Sequence, residues 1–174
     1  ARVKTCRKAG YSERNAMSEV PRGIIVTSAS AHYSIRKAAW ILGIGEENVV
    51  EVPVANNEEV AAFEESLTPF KLKPSREAYR ETLLSCRSDA KRGKGRTQMI
   101  TAVVTSLGTI NTGTIEPIRP ALELRDEYGF HLHVDGAIGG FALGLNEVNE
   151  KASGVEEADS ITVDPHKLGY IAYP

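Results

Sequence analysis

Lysine, aspartate, histidine and threonine side chains follow four candidate strands of the sequence. His32 lies after the first strand, Thr109 after the third, Asp135 ends the run HLHVD, and Lys167 ends the run DPHK. Each alone has an ordinary explanation, such as a turn, a helix cap or a solvated charge. Parallel strands open their carboxyl ends onto one edge of a sheet, where α/β proteins bind ligands. The four residues are therefore expected to converge there.

These residue types suit the chemistry of pyridoxal phosphate. A lysine such as Lys167 can form the imine that a substrate amine displaces, and an aspartate such as Asp135 can keep the pyridine nitrogen protonated. The imidazole of His32 can lie on one face of the ring, and the small Ala137 on the other. The protein then supplies orientation and electrostatics, and the cofactor supplies the organic chemistry.

Short β-branched runs alternate along the chain with amphipathic stretches. The pattern predicts strands over residues 24–27, 48–54, 99–105, 131–135 and 160–163, and helices over 35–42, 75–89 and 117–128. Gly43 and Gly129 stand where helices end, and Pro117 can open the last helix. The order predicts a doubly wound α/β core with a mainly parallel sheet and helices on both faces.

Composition narrows the function classes. The chain has 174 residues, 41% hydrophobic and 25% charged, with a net charge of −2, which is typical of a soluble globular domain. The basic run at residues 91–96 lies among glycines and reads as a solvated loop, so no nucleic-acid partner is expected. No apolar run approaches the ~20 residues that cross a bilayer. Two cysteines, Cys6 and Cys86, do not make a disulfide scaffold, and a cytoplasmic location is expected.

Three segments carry a family resemblance: AHYSIRKAAWILGIG, HVDGAIGGFAL and ADSITVDPHKLGYIAYP. They resemble the signature segments of the group II pyridoxal-phosphate decarboxylases, which include glutamate, tyrosine and aromatic-amino-acid decarboxylases. The segment DPHKLGYIAYP is most similar to the microbial tyrosine decarboxylase branch. The resemblance implies the large cofactor-binding domain of a fold-type I pyridoxal-phosphate enzyme, and a homodimer as the full-length enzyme.

The resemblance also implies roles for individual residues. Lys167 would form the Schiff base, Asp135 would pair with the ring nitrogen, and His32 would stack on the ring, with Ala137 on its opposite face. Further cofactor contacts would come from residues near the ring hydroxyl, the phosphate or the substrate carboxylate: Thr109, Asp164 and His166. The substrate would be an L-amino acid, with an aromatic one such as tyrosine as first choice and glutamate as second.

The chain departs from the family pattern at four positions. Ile110 replaces the second threonine of the GTT motif, Asp164 replaces the usual asparagine before Pro-His-Lys, and Gly136 and Ile138 replace the commoner alanine and aromatic residue. The chain is also short for the family. Residues 1–174 are expected to be part of one large domain, without the N-terminal phosphate-cup segment and the C-terminal small domain, and to be inactive in isolation.

Other functions fit parts of the same sequence. Another fold-type I lyase or an aminotransferase would use the same lysine, and an inactive truncated copy would keep only the fold. His131 and His133 alternate with Asp135 along one strand, so all three face one side, as in the zinc sites of some hydrolases. That last alternative leaves Lys167 without a role.

Overall fold

The computed structural model describes residues 23–54, 73–91 and 99–173. The strands are β1 (Ile24–Ser28), β2 (Val49–Val52), β3 (Ile100–Ser106), β4 (His131–Asp135) and β5 (Ser160–Thr162). The α-helices are α1 (Ser34–Ile41), α2 (Arg76–Lys91), α3 (Arg119–Tyr128) and α4 (Asn146–Lys151). Short 3-10 helices cover Glu46–Asn48, Gly139–Gly144 and Val155–Glu157.

The five strands form one sheet in the order β2-β1-β3-β4-β5, and every neighbouring pair is parallel. The register aligns Ser28 with Val52 and Ser106 with Asp135, which are residues at the carboxyl ends of their strands. Since all strands run the same way, these ends meet at one edge of the sheet. The predicted parallel sheet is confirmed.

Helices cover both faces of this sheet. On one face, Ala39 of α1 packs with Ile25 and Val104 in a small buried cluster. On the other face, α2 and α3 pack against a larger cluster that includes Tyr79, Leu83, Leu124, Val26 and Val103. Alternate residues of β1 and β3 thus face opposite layers, so both strands are buried along their whole length and are rich in β-branched residues, as central parallel strands are. The predicted α/β architecture is confirmed.

Element boundaries differ from the predictions at two prolines. The second strand ends at Val52 instead of residue 54, because Pro53 has no N–H to donate to a neighbouring strand. Asn48, predicted in that strand, ends a 3-10 turn, and its side-chain amide donates to the Ile44 carbonyl. The third helix begins at Arg119 and carries Pro120 in its first turn, so Pro117 precedes the helix instead of opening it.

Three further predictions agree with the structure: the start of α2, the burial of Cys86 and the end of α3. Helix α2 begins after Ser75, whose Oγ accepts the Ala78 N–H at 3.0 Å. Cys86 is buried on the apolar face of that helix, and Gly129 ends α3 at φ 76°. The segment at residues 55–72, most of the basic run, and Cys6 lie outside the described residues. Among the described helices, none is long and apolar enough to span a membrane.

Candidate active site

A cavity of about 220 Å³ opens at the carboxyl edge of the sheet. Its walls come from four separate segments of the chain, each of which follows or ends a strand. Six of the seven residues predicted from the sequence line it: His32, Thr109, Asp135, Ala137, Asp164 and Lys167. The seventh, His166, is not among the lining residues, and its ring packs edge-on against Tyr173, 4.7 Å between ring centres. The predicted convergence of strand ends is therefore observed.

Lys167 lies at the rim of this cavity and pairs with Asp164. The Lys167 Nζ donates to Asp164 Oδ2 at 2.8 Å, and the Lys167 backbone N–H donates to the Asp164 carbonyl at 3.1 Å. The hydrogen bond from Lys167 lowers the pKa of the Asp164 carboxyl. Both side chains are partly exposed, so the attraction is screened by water and adds little to stability. Its effect is to hold the amine at the cavity.

Asp135 occupies the last position of β4 and lines the cavity. Its Oδ1 accepts the Ala137 N–H at 3.1 Å, which fixes the carboxylate against the following turn. Gly136 makes this turn possible, because a Cβ there would lie 2.8 Å from the Thr162 carbonyl oxygen. The departure from the family's alanine at position 136 thus has a local cause, the close approach of β5.

His32 lies just before α1, and its ring is oriented by its neighbours. The Nδ1 atom accepts the Ser34 N–H at 3.3 Å, which leaves Nε2 to carry the proton of a neutral ring. The ring lies 4.5 Å from that of Tyr33, with a tilt of 51° between the planes. A flat imidazole is thereby presented to the cavity.

Three threonines form a hydrogen-bonded chain beside the cavity. Thr109 Oγ1 lies 2.8 Å from Thr112 Oγ1, which lies 2.7 Å from Thr114 Oγ1, and Thr109 Oγ1 also accepts the Thr114 N–H. Each hydroxyl has one proton. If the protons run from Thr114 towards Thr109, the Thr109 proton is left to point at a ligand. Ile110, which is 58% exposed, supplies an apolar wall where the family has a hydroxyl.

His133 also lines the cavity, a place that the sequence predicts for it only in the zinc-site alternative. Its Nδ1 lies 2.9 Å from Ser160 Oγ, which His131 Nε2 contacts at 2.8 Å, and its Nε2 lies 3.2 Å from Thr162 Oγ1. Burial lowers the pKa of His133, and the negative charge of Asp135 raises it by a smaller amount. In the part of the chain that the structure describes, no group of three His, Cys, Asp or Glu side chains could hold a metal ion. The two histidines share a serine instead.

Glu116 is a residue of this site that the sequence interpretation missed. Its side chain is fully buried behind the cavity, and its Oε2 accepts the Ser106 N–H at 2.7 Å. Burial raises the pKa of Glu116, and the charge of Asp135 acts in the same direction. In the sequence, a glutamate followed by proline is typical of an exposed turn. The feature that could have identified Glu116 is its position between the loop that follows β3 and helix α3.

The lining residues fit pyridoxal phosphate by their chemistry. An amine, a carboxylate anchored at one oxygen, a flat imidazole and a small alanine share one cavity. Lys167 offers the amine that can form an imine with the cofactor's aldehyde, Asp135 offers a carboxylate for the ring nitrogen, and His32 offers the stacking surface. The described residues therefore include those that would hold the cofactor ring.

Comparison with known protein families agrees with this fit. Residues 1–173 match the model of the pyridoxal-dependent decarboxylase conserved domain. The chain belongs to this decarboxylase family. The family's cofactor is pyridoxal 5'-phosphate, as the sequence predicted.

Individual relatives of the family are similar over most of the chain. Aspartate 1-decarboxylase from Aliivibrio fischeri is 33% identical over 147 residues, which is 84% of this chain and 23% of that protein. L-2,4-diaminobutyrate decarboxylase from Acinetobacter baumannii is 29% identical over 143 residues, or 82% of this chain and 24% of the relative. The chain thus spans about a quarter of the length of these relatives.

Solved structures share the fold. The glutamate decarboxylase domain of diaminobutyrate-pyruvate transaminase and L-2,4-diaminobutyrate decarboxylase from Vibrio parahaemolyticus superposes with a TM-score of 0.74 at 25% identity, over 97% of this chain and 33% of its own. Mouse CSAD superposes with a TM-score of 0.77 at 21% identity, over 97% of this chain and 31% of its own. Both confirm the predicted α/β fold.

Proposed function

We propose that the full-length protein carrying this sequence decarboxylates an L-amino acid with pyridoxal phosphate, bound covalently through Lys167. The observation that supports this most directly is that Lys167, Asp135 and His32 line one cavity, although they are far apart in the chain. Membership of the decarboxylase family points to the same reaction. The cofactor, when bound, withdraws the electron pair that the departing carboxylate leaves behind.

Each residue has a distinct task in this proposal. The Lys167 amine, held at the rim by Asp164 Oδ2, is the group that attaches covalently. The carboxylate of Asp135, fixed by the Ala137 N–H, would keep a proton on the ring nitrogen, and His32 would stack on the ring. Ala137 and Thr109 would contact the ring and its hydroxyl. His166 is still proposed to lie near the phosphate or the substrate carboxylate, although its side chain is not among those that line the cavity.

The substrate is proposed at the level of its class, an L-amino acid. Tyrosine is the first candidate because the DPHK segment resembles the tyrosine decarboxylase branch, and glutamate is the second. The relatives add two more candidates, since their names state decarboxylation of aspartate and of L-2,4-diaminobutyrate. Exposed Ile110 in the cavity wall favours a substrate with an apolar part.

The test is an assay of the full-length protein with added pyridoxal phosphate. Carbon dioxide release would be measured from tyrosine, glutamate, aspartate and 2,4-diaminobutyrate in parallel. Reductive trapping with borohydride followed by peptide mapping would locate the attached cofactor. We expect release from one of these amino acids and a label on Lys167. A label on Lys37, Lys151 or any other lysine would refute the assignment of Lys167.

A further inference from the structure

Glu116 has no task in the reaction proposed above, yet it is among the most deeply buried polar residues described. Its Oε2 accepts the Ser106 N–H at 2.7 Å, and its own backbone N–H donates to the Ser106 carbonyl at 2.9 Å. Its Oε1 is buried without a hydrogen-bond partner among the described residues. A carboxylate left this way would lose much of its hydration without compensation. The geometry therefore favours the protonated carboxylic acid.

The two hydrogen bonds make Glu116 a clamp on the cavity wall. Ser106 is the last residue of β3, lines the cavity and pairs in register with Asp135 on β4. A clamp that fixes both backbone groups of Ser106 also fixes the edge of the sheet on which Asp135 is displayed. Glu116 thus acts on the site through its neighbours.

Three groups from other elements face Glu116: Ser28 from β1, Tyr79 from α2 and Asp135 from β4. Tyr79 is fully buried, and its hydroxyl has no partner among the described residues, so no cation from these elements compensates a charge on Glu116. The nearby Ser28 hydroxyl and the Ser106 N–H favour the charged form, but burial opposes it more strongly, and the negative charge of Asp135 adds a smaller contribution in the same direction as burial.

We propose that Glu116 is a positioning residue that keeps its proton in the folded protein and, through its hydrogen bonds to Ser106, holds the edge of the sheet at which Asp135 lies. The consequence of this arrangement for cofactor binding rests on the proposed function. The protonation of Glu116 and its clamp on Ser106 do not. Each part has its own measurement.

The first measurement is the unfolding free energy of the full-length protein as a function of pH. A carboxyl whose pKa is raised in the folded state loses its proton first in the unfolded state, from about pH 4.5 upwards. Wild type should therefore lose stability relative to Glu116→Gln, which does not titrate, as pH rises from about 5 to 8. The exposed Glu127→Gln on α3 is the matched control and should show no such trend. If the difference in unfolding free energy between wild type and Glu116→Gln does not change with pH, Glu116 does not keep its proton in the folded protein and the proposal is wrong.

The second measurement is the dissociation constant for pyridoxal phosphate, with the visible absorbance of the bound cofactor as a spectroscopic check. Glu116→Gln keeps an oxygen that can accept the Ser106 N–H, so its affinity should stay within about threefold of wild type, with an unchanged spectrum. Glu116→Met keeps the length but removes the acceptor, so its affinity should fall about tenfold or more. If Gln weakens binding as much as Met, the charge of Glu116 is what matters and the proposal is wrong.

The two measurements separate the two proposals. If wild type binds no pyridoxal phosphate, the proposed function fails, and the pH series still decides whether Glu116 holds a proton. If wild type binds the cofactor but the pH series is flat, the proposed function stands and the inference about Glu116 fails. Should Glu116→Met not fold, Glu116→Asp takes its place in the binding measurement, because its shorter side chain draws the acceptor away from the Ser106 N–H. Wild-type affinity in that variant would overturn the hold on Ser106, and the comparison of Gln with wild type still decides the protonation of Glu116.

Discussion

Lys167 and Asp135 share one cavity, but their loss should impair the full-length protein in two different ways. Lys167→Ala removes the amine, so covalent attachment and its visible absorbance should disappear, and turnover should fall by orders of magnitude. Asp135→Ala leaves the amine in place, so attachment should persist while turnover falls by a factor of about 100 or more, because the ring nitrogen loses its anionic partner. Absorbance spectra, borohydride trapping and turnover measure the two effects separately.

The matched control for this pair is Lys151→Ala, since Lys151 lies exposed on α4 away from the cavity lining. It should retain both attachment and turnover. Loss of attachment in Asp135→Ala to the same degree as in Lys167→Ala would contradict the separate roles. In that case Asp135 would be needed to bind the cofactor and not only to tune it.

The strands and helices could be predicted because their residues repeat simple patterns, whereas the site's second layer could not. The mostly apolar run of β3, the alternation of polar and apolar residues in β4 and the glycine at position 129 each mark an element without reference to the rest of the chain. Glu116 is different, because the groups that face it, such as Tyr79 of α2 and Asp135 of β4, are brought near it only by the fold. The exact place of His166 likewise depends on how the turn after Asp164 folds, and spacing alone does not show it.

The turn after β4 offers a prediction at the scale of an element. Gly136→Ala would place a Cβ 2.8 Å from the Thr162 carbonyl and 3.1 Å from the Ile161 side chain, so β4 and β5 would have to separate. We expect a loss of about 1–3 kcal/mol in the free energy of unfolding, as for other overpacked sites. Gly144→Ala is the control, because a Cβ there meets nothing within 4 Å. Equal stability of the two variants in denaturant titrations would show that β5 yields without cost.

At the scale of the whole molecule, the cavity depends on the complete sheet. Its lining comes from the ends of β1, β3, β4 and β5, so residues near positions 32 and 167 meet only when every intervening strand is in register. Stability and site geometry are therefore linked. Groups that titrate inside this lining should change the stability of the fold as well as the chemistry of the site.

His133 makes that link measurable. Burial lowers its pKa in the folded protein, so as pH falls below about 6.5 the unfolded chain takes up the proton first. The contribution of neutral His133 is complete above that pH and is lost as pH falls towards the lower folded pKa. His133→Asn keeps a group that can bond Ser160 but does not titrate. The unfolding free energy of wild type should thus fall relative to His133→Asn between about pH 7.5 and 5.

The exposed substitution Ser153→Ala provides the reference for this pH series and should follow wild type throughout. Asp135 opposes the effect of burial, since its negative charge attracts a protonated imidazole. The same comparison can be made without the charge of Asp135, between Asp135→Asn and the double variant His133→Asn, Asp135→Asn. The difference in unfolding free energy between these two should depend more steeply on pH than the difference between wild type and His133→Asn. If wild type instead lost stability relative to His133→Asn as pH rises, the prediction would be wrong. His133 would then be protonated in the folded protein, and the charge of Asp135 would outweigh burial.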